Sequence, residues 1–210
     1  MSPKRLKGVQ LNQARFLFLI LSALFIAALI TCNIIANKFV NIDLGFKVFT
    51  ISVGVLPYPI TFLITDILSE IYGRKKTNAV VISGFVASIL VMFILWLGNV
   101  FDAIPGSNVD NESYATVFSS TGRVIMASMT AYLFAQLIDV RLFHFWKRKT
   151  KGKHLWVRNN FSTIFSQLVD TTLVVFVLFV GELSVGVMTG YILDGWLFKA
   201  IVALVDTFFI

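Results

Sequence analysis

Three stretches of this chain carry no charged residue over the length of a membrane span: Phe16 to Ala36, Val48 to Thr65 and Thr77 to Phe101. A hydrocarbon core about 30 Å thick is crossed by about 20 apolar residues, because an α-helix rises about 1.5 Å per residue. A helix on the surface of a soluble domain shows a polar face every few residues, and these stretches show none. Composition agrees: 57% of the chain is hydrophobic and 14% charged, against about 25% charged in soluble domains. The expected fold class is all-α, a polytopic membrane protein.

Phe16 to Ala36 is too long for the apolar region of a signal peptide, and Asn33, Asn37 and Lys38 stand where a small-residue cleavage site would be. It therefore reads as the first span. The single cysteine, Cys32, allows no internal disulfide and no cysteine zinc site. No long hydrophilic segment marks a second domain, so residues 1–210 form one transmembrane unit. Helices are expected at about 16–38, 48–70, 78–100, 122–143, 160–180 and 195–210, a six-transmembrane-helix bundle.

The net charge of +7 could suggest nucleic acid, but its distribution argues against that partner. The basic residues fall in three clusters between apolar blocks: Lys4, Arg5, Lys7 and Arg15; Arg74, Lys75 and Lys76; and Lys147, Arg148, Lys149, Lys151, Lys153 and Arg158. The alternating loops carry Asp43, Asp102, Asp110, Glu112, Glu182 and Asp194. Lys and Arg excess marks the cytoplasmic side, which places the N-terminus inside. The sixth span, 195–210, is short, and the natural chain is expected to continue beyond it.

A carboxylate at the centre of a span costs about 2.5–3.5 kcal/mol on insertion scales, and such residues commonly mark a substrate or ion path. Asp170 and Asp206 fall near the midplane of their spans. Lys199, seven residues before Asp206, could pair with it or reach outward. Asp66, Glu70 and Asp139 lie nearer the cytoplasmic face. Glu70 can pair with Arg74 one turn on, and Asp139 has Arg141 nearby. Asp66 and Glu70 also stack at i and i+4, a like-charge arrangement suited to proton coupling or an inner gate. Pro57-Tyr58-Pro59 interrupts the second span and either kinks it or frames a binding site.

Ala135-Gln136-Leu137-Ile138-Asp139 is echoed by Ser166-Gln167-Leu168-Val169-Asp170. Gln and Asp three apart share a helix face. An amide beside a carboxylate suits a planar heterocycle, since the carboxylate accepts two adjacent N–H groups and the amide both donates and accepts. No phosphate-binding Gly loop, zinc-protease motif or nucleophile elbow occurs. Catalysis, a metal and a cofactor are not expected, and His144 and His154 read as solvated.

Two motifs, Pro57-Tyr-Pro-Ile-Thr-Phe-Leu-Ile-Thr-Asp-Ile-Leu-Ser-Glu-Ile-Tyr-Gly-Arg74 and Leu155-Trp-Val-Arg-Asn-Asn-Phe-Ser-Thr-Ile-Phe-Ser-Gln-Leu-Val-Asp-Thr171, carry a resemblance. With Asn33 to Lys38 and Gln136 to Asp139, they resemble the bacterial queuosine precursor transporter family, formerly the "putative vitamin uptake transporter" family. The resemblance implies uptake of 7-deazaguanine bases, 7-cyano- and 7-aminomethyl-7-deazaguanine, across the bacterial inner membrane for tRNA-modification salvage. The residues that would then serve substrate binding are Asp170, Gln167, Asn33, Tyr58 and Asp206. Those for gating or proton coupling are Asp66, Glu70, Asp139 and Gln136. The lipid bilayer is the second partner, and a homo-oligomer is compatible with the sequence. Two rivals stay open: a substrate-capture subunit of an energy-coupling vitamin uptake system, and a non-transporting membrane assembly or sensor protein.

Overall fold

The computed structural model describes residues 8–36, 38–45, 47–118 and 122–206. Its elements run α1 (Gly8–Ile34), β1 (Phe39–Asp43), β2 (Val48–Ser52), a 3₁₀ turn (Val53–Val55), α2 (Tyr58–Ile71), α3 (Arg74–Val100), α4 (Asn111–Phe118), α5 (Gly122–Lys149), α6 (Leu155–Phe179) and α7 (Val185–Asp206). Among the described residues, five helical segments are long and apolar enough to cross a membrane: Leu11–Ile34, Val53–Ile71, Arg74–Val100, Leu155–Val177 and Val185–Leu204. The 28-residue α5 packs along α6 as the most extensive helix pair, and α7 packs on α6 as well.

The helices differ from the expected spans in instructive places. The second span is a helix only from Tyr58. Residues 48–52 are instead a strand, antiparallel to β1, with Phe39 opposite Ser52 and Asp43 opposite Val48. Gly45 takes the positive φ (82°) that closes the turn, where a side chain would be strained. Pro57 and Pro59 do not kink a helix but open one: Pro57 is the N-cap of α2, and Pro59 sits in its first turn. A first-turn N–H has no helical partner, so its loss costs nothing there.

The last span is also displaced. It runs from Val185 to Asp206, 22 residues, about 33 Å at the helical rise, so it is not short. The loop before α5 holds the helix α4, capped by Asp110, whose carboxylate accepts from the Ser113 N–H at 2.7 Å.

Core packing joins α1, α2, α3 and α5 through Phe25, Leu29, Ile64, Leu68, Val80, Val81 and Tyr132. Lipid is as apolar as these side chains, so van der Waals fit rather than water exclusion holds such a contact. Gly84 serves that fit, since a Cβ there would come within 2.8 Å of the Phe25 ring. Phe16, Leu19, Leu24, Val86, Phe93 and Ile94 are left exposed on the outer faces of α1 and α3, the pattern of lipid-facing surface. A second cluster seats the hairpin on α7, with Phe49 and Ile51 against Phe198, and at the hairpin tip Lys47 pairs with Asp194.

Among the described residues, the N-terminal part of α1 and the second and third basic segments meet at one end of the bundle. The Tyr72 hydroxyl donates to the Ala14 carbonyl at 2.6 Å, and Lys76 lies over the Phe18 ring. Lys147 and Arg158 converge on Glu70.

Candidate functional site

α2 carries a polar stripe at helical spacing, Tyr58, Thr61, Thr65, Asp66 and Ser69, that faces inward. α6 carries Asn159, Thr163 and Gln167 one turn apart, with Ser162, Ser166 and Asp170 beside them, all buried. α5 adds Gln136 and Asp139, and α7 adds Lys199. A polar seam so deep in an apolar bundle is stable only where its groups are paired, and most are.

Asp170 is fully engaged. Its Oδ1 accepts from the Tyr58 hydroxyl at 3.2 Å and its Oδ2 from Lys199 Nζ at 2.7 Å. The ammonium of Lys199 also donates to Thr171 Oγ1 at 3.3 Å and lies 5.0 Å from the centre of the Tyr58 ring. Lys199 therefore pairs with Asp170 on the neighbouring helix, not with Asp206. The described part of α7 reaches Asp206, whose side chain lies outside the described residues.

Gln136 is held by α2: it accepts from Thr65 Oγ1 at 3.2 Å and donates to Thr61 Oγ1 at 3.4 Å. Asp139 accepts from Ser166 at 3.0 Å, while Arg141 points outward, so the expected Asp139–Arg141 pair does not form. Asp66 receives a long 3.5 Å contact from Thr163 and stands beside Asp139. Glu70 turns away from Asp66 to Lys147 (2.8 Å) and Arg158 (2.9 Å), and Arg74 is exposed. The like-charge neighbours are thus Asp66 and Asp139, from two helices, rather than Asp66 and Glu70 on one. Arg158 is almost fully buried, with its guanidinium 5.4 Å from the centre of the Phe143 ring.

Between α2, α6 and α7 lies a cavity lined by Tyr58, Phe62 and Asp66, by Asn159, Thr163 and Gln167, and by Lys199 and Ala203. Its free space is about 10 Å³, the room of about one water molecule. A larger ligand enters only when these helices part. Of the residues singled out from sequence, Tyr58, Asp66 and Gln167 line the cavity, and Asp170 forms its wall through Tyr58 and Lys199. Gln136 and Asp139 stand behind Asp66, and Glu70 closes the basic end. Asn33 is elsewhere: its amide donates to the Leu29 carbonyl at 3.1 Å and to the Met129 sulfur at 3.6 Å.

Sequence reasoning missed Asn159, Thr163 and the partnership of Lys199. The first two lie within Leu155 to Thr171, at one-turn spacing with Gln167, which was the available signal. His144, expected to be solvated, is half-buried with its Nε2 enclosed. Among the described residues no three His, Cys, Asp or Glu side chains are grouped to hold a metal ion.

Long apolar helices around a paired polar seam and a small internal cavity define a multi-pass membrane protein. Residues 52–210 match the family described as "Putative vitamin uptake transporter", and the chain belongs to that family. Among curated relatives, the "Probable queuosine precursor transporter" of Bacillus subtilis (strain 168) is 29% identical over 158 residues, which is 75% of this chain and 69% of that protein. The "Queuosine precursor transporter" of Escherichia coli (strain K12) is 24% identical over 152 residues, 69% of this chain and 62% of the relative. A "Probable queuosine precursor transporter" of Haemophilus influenzae (strain ATCC 51907 / DSM 11121 / KW20 / Rd) is 25% identical over 118 residues, 56% of this chain and 47% of the relative. No solved structure matches the chain significantly.

Proposed function

We propose that this chain is a carrier, not an enzyme, that moves 7-deazaguanine queuosine precursors inward across the bacterial inner membrane with its basic end in the cytoplasm. The names of the relatives support the substrate class. The observation that carries the mechanism is the cavity between α2, α6 and α7, lined by Asp66, Gln167 and Lys199 and backed by the Lys199–Asp170–Tyr58 contact. On this reading the base is held by Gln167 and Asp170 and stacks on Tyr58, with Asn33 and Asp206 as outlying contributors. The Lys199–Asp170 pair opens as substrate arrives. Asp66, Asp139, Gln136 and Glu70 form the inner half of the path, where Glu70 closes onto Lys147 and Arg158.

The test is uptake of a radiolabelled precursor into cells expressing Asp170→Asn. Uptake falls to background while the protein stays in the membrane; import at the wild-type rate would sink the assignment. Transport by the purified chain alone in liposomes excludes a capture subunit. Heat stabilisation by a deazaguanine excludes a protein with no ligand.

A further inference from the structure

Asp66 on α2 and Asp139 on α5 meet inside the bundle, with their carboxyl groups hydrogen-bonded to each other. Both are buried, at 2% and 0% exposure. An ionised carboxyl only accepts, so two carboxyls bond in this way only when one of them carries a proton. Their other contacts distinguish the two. Asp139 faces the hydroxyls of α6: Ser166 donates at 3.0 Å, with Ser162 and Thr163 beside it. Asp66 has only Thr163, at 3.5 Å. Oδ1 of Asp66 and Oδ2 of Asp139 meet no donor from other protein groups. Asp139, better supplied with hydroxyls, is the acceptor of the pair, and Asp66 is the donor. Asp66 is also the member that lines the cavity.

The charge balance agrees. Among the described residues, the buried acids of the seam are Asp66, Asp139 and Asp170, and the cations enclosed with them are Arg158 and Lys199. Glu70 and Lys147 are both partly exposed and cancel as a pair. One proton on Asp66 and Asp139 together makes the seam neutral. The other charged groups around the pair are engaged elsewhere or point away. Lys199 of α7 holds Asp170 of α6, and Glu70 of α2 holds Lys147 and Arg158. His144 of α5 interacts with Lys147, Arg148, Arg74 and Glu70 at the basic end. Arg141 of α5, Arg15 of α1 and Arg74, Lys75 and Lys76 of α3 are exposed.

The proton is also placed to leave. A ligand enters the cavity only when α2, α6 and α7 part, and parting brings water to Asp66. The charge left behind has a partner at hand: Arg158, buried and interacting with Asp66, keeps Nε and Nη1 unpartnered while Nη2 binds Glu70. We propose that Asp66 and Asp139 form the binding site for one exchangeable proton, and that this proton is the coupling ion of the carrier. The inference rests on the carrier reading and supplies its driving force. The proton joins the Asp66 carboxylate from water on the outer side and leaves it for water on the inner side as the precursor crosses. Asp139 stays ionised, and no other bond forms or breaks.

The experiment uses the purified full chain in liposomes with the membrane potential clamped at zero. The probe is radiolabelled 7-cyano-7-deazaguanine, a neutral base, so any charge that moves with it is the proton's. With the lumen about one pH unit more alkaline than the medium, the wild type accumulates the base up to about tenfold, the limit for one proton per base. At equal pH it only equilibrates. In Asp66→Asn the amide N–H donates to Asp139 in place of the proton, so the fold is kept and accumulation is lost; Asp139→Asn loses it too. Heat denaturation reports that each variant is folded. Infrared difference spectra, wild type minus Asp66→Asn, show the C=O stretch of a protonated carboxyl that shifts in D₂O. A wild type that equilibrates the base but never accumulates it on a pH gradient overturns the inference, as does accumulation that persists in both variants. A variant that moves no base is judged by the spectrum: a missing protonated carboxyl supports the site, and an unchanged one overturns it. If the wild type neither takes up the base nor exchanges labelled for unlabelled base, the carrier reading for deazaguanines fails and the coupling with it; the proton site is then judged by the infrared band alone.

Discussion

Replacing Lys199 with methionine removes the cation from a buried ion pair and keeps the length of the side chain. At 2.7 Å and an effective dielectric constant of about 20, the pair attracts by about 6 kcal/mol. Desolvating the two charges consumes most of that, so the intact pair is close to neutral in net stability. The variant loses the attraction but keeps the desolvated carboxylate of Asp170, which is left with only the Tyr58 hydroxyl at 3.2 Å. Stranding one partner of a buried pair costs about 3–5 kcal/mol. Lys199 is 12% exposed, so some water reaches the site, and the lower end, about 3 kcal/mol, is expected. For a chain of this size that lowers the melting temperature by about 6–12 °C. Asp170→Asn costs less, because the amide oxygen still accepts from Lys199 and the lysine stem can carry its charge toward water. The double variant Lys199→Met/Asp170→Asn returns to within about 1 kcal/mol of the wild type, since neither charge remains. The assay is heat denaturation of the four proteins in one detergent, read as a double-mutant cycle. A double variant as unstable as Lys199→Met, or a Lys199→Met protein that melts with the wild type, would refute the reasoning.

Two further outcomes test the frame around the site. A Cβ on Gly54 would stand 2.3 Å from the Cys32 carbonyl oxygen and 3.2 Å from Ala36 Cα; backbone cannot swing aside, so Gly54→Ala destabilises by at least about 1–3 kcal/mol, measured as a fall in melting temperature, whereas an unchanged value shows that the turn does not pack on α1 as described. At α4, the Ser113 N–H that Asp110 accepts holds its carboxyl below the ordinary aspartate range. The stabilisation of α4 is therefore complete above about pH 3.9, the free-aspartate value, and is lost as pH falls through the lower folded value. The Ser113 amide resonance should titrate with a midpoint below 3.9 and lose that transition in Asp110→Ala; a midpoint at or above the free value contradicts the cap.

The helices were legible because an apolar run has only one stable state in lipid. What was not legible follows from the same rule applied too broadly. Val48 to Thr65 is free of charge, and that hid the period-2 alternation of Phe49 and Ile51, which face Phe198, and the turn glycine at position 45. Asp194 suggested a span starting after it, yet its charge is met by Lys47 of the hairpin, so α7 begins at Val185. The deep acids could be found one by one from their cost. Their partners could not, because Asp170 meets Lys199, Asp139 meets Ser166, and Glu70 meets Lys147 and Arg158 across helices that the sequence does not place side by side.

The hairpin gives the two ends of the bundle different kinds of closure. The 14-residue α2 covers only about 21 Å, and the rest of that position is filled by the strands and the 3₁₀ turn. The basic end is shut by Glu70 against Lys147 and Arg158, a partly exposed contact of full charges that salt weakens. The opposite end is shut by Phe49 and Ile51 on Phe198, a contact of shape that salt leaves alone and that one lost methylene loosens. In a carrier that opens to each side in turn, ionic strength therefore acts on opening at the basic end, and the fit of the hairpin on opening at the opposite end.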